Sequence, residues 1–89
     1  MGQVRFASSL QRHLACPPGP VAGVSVREAL DAVFADNPRL RGYVLDDQGR
    51  LRRHVNVFVN SRAVADRMRL SDRVRPDDDI HVIQALSGG

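Results

Sequence analysis

The 89-residue sequence predicts an α+β fold, a small mixed sheet of four or five strands crossed by one main helix. Three observations carry that reading. Apolar residues alternate near both ends of the chain, at Val4-Arg5-Phe6 and at Ile80-His81-Val82, as strands with one buried face require. Between them lies one segment with helical rather than alternating spacing, so a single amphipathic helix has to cover one face of the sheet. A second alternating run, Val55-Asn56-Val57-Phe58-Val59, sits in the chain's second half.

Val4 and Phe6 define the inward face of the first strand. Leu10 to Ala15 is a candidate return strand, and Cys16-Pro17-Pro18-Gly19-Pro20 reads as a loop because prolines cannot donate to a ladder. Ser25-Val26-Arg27-Glu28 is a capping box, in which the Ser hydroxyl and the Glu carboxylate each satisfy an orphan amide. Val26, Ala29, Leu30, Val33 and Phe34 then recur at helical spacing, and Asn37-Pro38 ends a Ser25–Asp36 helix.

Arg41 to Asp46 reads as a short strand and Asp46-Asp47-Gln48-Gly49 as a turn. The strongest strand is Arg53 to Asn60: Val55, Val57 and Val59 share one face, Asn56, Phe58 and Asn60 the other. Asn60-Ser61 turns the chain into Arg62-Ala63-Val64, and Leu70 to Val74 is irregular or briefly helical. Pro76-Asp77-Asp78-Asp79 is a turn leading into a last strand, Ile80 to Leu86. The end strands are the most apolar and so suit central positions. Strand, strand, helix, then two or three strands is the layout of a β-grasp fold.

One cysteine, Cys16, excludes an internal disulfide framework. No signal-peptide core and no apolar run of membrane-spanning length are present, which predicts a cytoplasmic protein without a membrane partner. All 13 basic residues are arginine, interleaved with aspartate to a net charge of +3. Nucleic-acid binding calls for a clustered basic patch with stacking aromatics, and neither is evident. His13 and Cys16 have ligand-like spacing but no second pair follows, so no metal site is expected. No Gly-rich loop fits a nucleotide.

The chain finishes in Gly88-Gly89, straight after the last strand. Glycine has no Cβ, so such a tail fits a slot too narrow for other residues and leaves the carboxylate sterically open. Its bland alternative is a frayed end. The boundaries expected are a domain over 1–86 and a flexible tail over 87–89.

Three stretches give the chain a resemblance to the ThiS/MoaD family of ubiquitin-like sulfur carriers: Gly49 to Asn60, Asp77-Asp78-Asp79-Ile80-His81-Val82-Ile83, and the terminal Gly88-Gly89. Leu51-Arg52-Arg53-His54-Val55-Asn56 is most similar to the carriers serving cysteine biosynthesis. The resemblance implies that a ubiquitin-activating-like adenylyltransferase uses ATP and Mg to convert the Gly89 carboxylate into an acyl-adenylate. A sulfur donor then leaves a thiocarboxylate for a sulfur-accepting enzyme such as a cysteine synthase. On this reading the chain is a protein co-substrate, not an enzyme, and binds no cofactor itself. The alternatives are the small subunit of molybdopterin synthase, whose approach to the tail differs from Gln84-Ala85-Leu86-Ser87, and a ubiquitin-like protein modifier. Gly89 is then the adenylylation site, with Gly88 and Ser87 as tail. Phe58, Ile83 and Ala85 face outward by strand alternation as a partner patch, unless the register slips by one. Leu86 either anchors the partner or closes the domain's own core. Arg53 meets an acidic partner groove or is a solvated edge.

Overall fold

The computed structural model describes residues 2–7 and 19–84. Over these residues the chain forms β1 (Gln3–Phe6), β2 (Gly19–Pro20), α1 (Val26–Asp36), α2 (Pro38–Val44), β3 (Val55–Val59), β4 (Arg62–Ala63) and β5 (Ile80–Gln84). The five strands make one sheet in the order β2-β1-β5-β3-β4. β1 and β5 lie parallel, with Val4, Arg5 and Phe6 opposite Ile80, His81 and Val82. The other pairs are antiparallel. The two apolar end strands are therefore neighbours, and β5 is the middle strand, as their composition predicts.

Val4, Phe6, Val55, Val57, Val59, Ile80 and Val82 form the buried face, and Val26, Ala29, Leu30, Val33 and Phe34 of α1 complete the core with them. The predicted core residues are all buried, and Val57 is 1% exposed. No polar side chain is buried among the described residues, so the interior they form carries no polar desolvation cost.

The helix starts where its capping box predicts. Ser25 has extended dihedrals and its Oγ accepts the Glu28 N–H at 3.2 Å, while Glu28 Oε1 accepts the Val24 N–H at 3.0 Å. At the other end Asn37 N–H donates to the Val33 carbonyl at 3.0 Å, closing the last turn.

Two elements differ from the sequence reading. The strand expected over Arg41 to Asp46 is instead helix α2, with Pro38 in its first turn and Leu40 and Val44 buried. A proline whose missing N–H is an orphan anyway starts this helix as readily as it stops the one before. Gly19–Pro20, expected as loop, pairs with Val4 and Gln3 as a two-residue edge strand. At a sheet edge a proline need not sacrifice a ladder bond. The return strand expected over Leu10 to Ala15 lies outside the described residues. The strand expected from Arg53 to Asn60 narrows to Val55–Val59, with Arg53 and His54 in the preceding turn.

Between α2 and β3 the chain is held by isolated backbone hydrogen bonds, such as Asp46 N–H to the Arg50 carbonyl at 2.8 Å and Arg52 N–H to the Val44 carbonyl at 3.0 Å, together with side chains. Leu45 bridges Leu51, and Asp46 Oδ1 accepts the N–H groups of Gln48 and Arg50 at 2.9 and 3.0 Å. From α1, the Arg27 guanidinium reaches the carbonyls of Gly49 at 2.6 Å and Arg69 at 3.2 Å, tying both surface loops to the helix. The segment before β5 is irregular but not loosely packed: Leu70 and Val74 are buried. Leu70 takes φ 56°. That conformation costs a leucine about 1–2 kcal/mol, which the roughly 1.5–3 kcal/mol from burying its side chain offsets.

The β3–β4 hairpin has a two-residue loop, Asn60 (φ 49°) and Ser61 (φ 73°), both left-handed as a type I′ turn requires. Serine is the strained member. Ser61→Gly is expected to raise stability by about 0.5–1 kcal/mol, read as a higher denaturation midpoint with unchanged slope. An unchanged or lower midpoint would contradict the strain at this position.

Candidate functional site

Among the described residues no helix covers the other face of the sheet. Cross-strand register then decides which residues meet there. Arg5, His81, Phe58 and Ala63 stand opposite one another on β1, β5, β3 and β4, making one continuous row across the sheet. Asn56 and Ile83 form a second row beside it. Directly opposed side chains on one face sit roughly 4.5–5.5 Å apart at Cβ, close enough to act as one surface. Arg5, Phe58, Asn60, Ser61, Asp79, Ile80, His81 and Ile83 line an open groove of about 420 Å³. Phe58 and Ile83 are half-buried, Arg5 and His81 exposed.

The rim of this groove is fixed by Asn60. Its amide donates to Asp78 Oδ1 at 2.8 Å and accepts the Asp79 N–H at 2.9 Å, joining the β3–β4 turn to the acidic turn before β5. Asp79 Oδ1 in turn accepts the Gln3 N–H at 3.2 Å. The acidic turn is thus a fastening between β1, β3 and β5. It also leaves no space at Gly2, where a Cβ would meet the Asp78 carbonyl oxygen at 1.9 Å.

At the opposite end of the sheet Gln84 pairs with Val55, so the chain leaves β5 beside the turn containing Arg53 and His54. Arg67 crosses this end, donating to Asn56 Oδ1 at 3.0 Å and to the carbonyls of Arg52 and Val55 at 2.9 and 2.7 Å. Arg52 Nε donates to the Gly42 carbonyl at 2.7 Å, so it is bound to the fold. Arg53 remains exposed.

The structure therefore brings Phe58 and Ile83 together on the open face and places Arg53 apart from them, where the tail departs. Ala85, Leu86, Ser87, Gly88 and Gly89 lie outside the described residues, as do His13 and Cys16. Arg5, Asn60 and His81 join the groove, although the sequence does not single them out as partner residues. The alternation of β1 and β5 gives their facing, but only the strand pairing shows that His81 stands beside Phe58 and Arg5 beyond His81. Among the described residues no group of three His, Cys, Asp or Glu side chains is placed to hold a metal, and no helix is long and apolar enough to cross a membrane.

Three carboxylates that clamp the loops titrate low. The Arg50 N–H holds Asp46 below its ordinary value, the Ser71 hydroxyl does so for Asp66, and the Arg75 N–H for Asp78. A carboxyl depressed by folding contributes stability that is complete above its unfolded value, about 3.9, and lost as pH falls through the folded one. Melting temperature is therefore expected to be flat in these groups' contribution above about pH 5 and to drop below about pH 4. Asp78→Asn should soften that drop in a pH series of thermal melts. An unchanged acid limb would remove Asp78 from the account.

A sheet whose parallel first and last strands lie side by side, with a helix across one face, defines a ubiquitin-like β-grasp protein. The ThiS family profile matches residues 19–89, so the chain belongs to the ThiS family of ubiquitin-like carriers and modifiers. It is 34% identical over 65 residues to small archaeal modifier protein 1 of Haloferax volcanii, covering 73% of this chain and 70% of that one. The crystal structure of SAMP1 from the same organism superposes with a TM-score of 0.76 at 27% identity over 98% of this chain and 97% of that chain. A chain of the Amycolatopsis orientalis BexX/CysO complex superposes with a TM-score of 0.82 at 22% identity over 100% of both chains, a likeness of fold.

Proposed function

We propose that this chain is a sulfur carrier whose Gly89 carboxylate is adenylylated by a ubiquitin-activating-like enzyme and exchanged for a thiocarboxylate. The observation that carries the reading is the family match itself, which runs from Gly19 through Gly88-Gly89 and so includes the tail with the domain. Residues 1–86 then act as the body, and 87–89 as the arm handed to the partner.

A carboxylate is a poor electrophile. Joining it to AMP as a mixed anhydride supplies a good leaving group, so sulfide can attack the carbonyl carbon, and AMP departs with the bonding electrons. The resulting thiocarboxylate is a softer nucleophile on a tether, presented to an acceptor at high effective concentration. ATP and Mg belong to the adenylyltransferase, in the cytoplasm. This chain supplies the tail, the groove around Phe58 and Ile83, and the arginine at the exit, Arg53. Ala85 and Leu86 would meet the partner between groove and tail. The acceptor that best fits the Leu51 to Asn56 stretch is a cysteine-synthase-like enzyme. The second reading is conjugation to protein amines, favoured by the 34% identity to a protein called a modifier.

With adenylyltransferase, ATP and sulfide, the intact chain is expected to gain the mass difference between sulfur and oxygen. Deleting Gly89 withdraws the reactive carbon by one residue, about 3.5 Å, and should abolish the gain. Gly88→Ile should block it through the narrow slot without altering the melt. Thiolation of the Gly89-deleted chain at the full rate would show that Gly89 is not the sulfur-bearing residue. Amide-linked conjugates in cells with no thiocarboxylate would favour the modifier.

A further inference from the structure

The 89 residues contain no lysine; every one of the 13 basic residues is arginine. Lysine is among the commonest residues of soluble domains, so its absence matters wherever the fold does not itself require arginine. At two positions the fold does require it. Arg27 and Arg67 each spread one guanidinium over three acceptors. A single ammonium cannot reproduce such forks. Arg52 and Arg50 each donate once, through Nε, to a carbonyl and to Asp46. Arg39, Arg41, Arg53, Arg62, Arg73 and Arg75 are exposed surface cations, a task lysine performs as well.

What distinguishes the two residues at an exposed site is nucleophilicity. Lysine reaches a neutral amine near its pKa of about 10.4; the guanidinium stays protonated. That difference matters for a protein whose own carboxyl is activated. An ε-amine on a second copy would attack the activated Gly89 carbonyl carbon. A C–N amide bond would form, the acyl–phosphate bond would break, AMP would leave with the electron pair, and the ammonium proton would pass to solvent. Every such event would destroy one carrier.

Resting on the tail reading above, we propose that the side chains of this surface are barred from accepting the activated tail of another copy: they offer no amine, and the chain cannot be built into side-chain-linked polymers of itself. Where the activated tail is captured by a target amine, the product offers no carrier side chain to a second copy.

The test compares the native chain with an Arg39→Lys/Arg41→Lys/Arg73→Lys variant, which keeps charge and changes no residue lining the groove. Each is incubated with the ubiquitin-activating-like adenylyltransferase and MgATP without a sulfur source. ATP–pyrophosphate exchange is followed beside denaturing gels and intact mass. The expected result is equal exchange for both, at least tenfold more amide-linked multimer from the lysine variant, and loss of that multimer when Gly89 is deleted from it. Equal exchange with multimers from both chains, or from neither, would overturn the proposal while leaving the tail reading intact. Absence of exchange with both chains would overturn the tail reading, and the proposal with it. Matching thermal melts establish that the lysine variant is folded.

Discussion

Leu30→Ala is expected to cost about 3–4 kcal/mol and to lower the melting temperature by roughly 15–25 °C. Leu30 is 0% exposed in the middle of the α1 stripe, against the buried face of the sheet. Alanine is the better helix former, so propensity alone predicts a small gain. The loss therefore measures packing: buried methyl groups removed, plus the cavity they leave in a close-packed interior. For a domain this size, holding about 5–10 kcal/mol in all, that is a third or more of its stability. Asp31→Ala, on the exposed side of the same helix, should change it by less than about 0.5 kcal/mol. Chemical denaturation of the two variants checks both values. A Leu30→Ala cost below about 1 kcal/mol would mean that the helix does not pack on the sheet as described.

Away from the tail, the largest functional effect is expected from Phe58→Asp. Phe58 lies in the row between His81 and Ala63 and lines the groove on the open face with Ile83 beside it. A half-buried aromatic on an otherwise polar face is the kind of residue that becomes an anchor when a partner excludes water around it. Replacing it by a carboxylate removes the anchor and buries a charge at the interface. Affinity for the adenylyltransferase should fall by about 30-fold or more, which is about 2 kcal/mol or more. Because the side chain already touches solvent, the cost to the fold should stay near about 1 kcal/mol. Calorimetric titration gives the first quantity and a thermal melt the second. Undiminished affinity would place the docking surface elsewhere.

The residues legible from sequence are those whose signal is local. Ser25 and Glu28 announce the start of α1, because capping is chemistry within four residues. Val55, Val57 and Val59 announce β3 and its facing, and with it the outward aim of Phe58. Helix α2 is not legible. It is seven residues long, too short for a periodic stripe beyond the Leu40–Val44 pair, and its proline serves equally as a stop for α1. Strand β2 escapes for the opposite reason: Gly19 and Pro20 have no strand propensity, and pairing with β1 alone makes them a strand. The groove is half legible. Phe58 and Ile83 follow from alternation, whereas the placing of His81 beside Phe58 depends on pairing residues 55–59 with 80–84, and of Arg5 beside His81 on pairing residues 4–6 with 80–82, both long-range choices. Arg53 is a candidate by its charge alone; the structure places it exposed in the turn before β3, beside the point where the chain leaves β5.

The parallel pairing of β1 with β5 has a mechanical consequence. An enzyme that grips the chain beyond Gln84 pulls β5 along its own axis, while the rest of the domain resists through β1 and β3. Interstrand hydrogen bonds lie across that axis, so a pull loads the whole ladder in shear instead of unzipping it bond by bond. A hairpin pulled from its two open ends would come apart pair by pair. With force applied between residue 3 and residue 84, Val4, Arg5 and Phe6 must all slip past Ile80, His81 and Val82 together. Rupture under load is governed by the unfolding barrier rather than by equilibrium stability. A pull on the chain beyond Gln84 is therefore borne by the β1–β5 and β3–β5 ladders together.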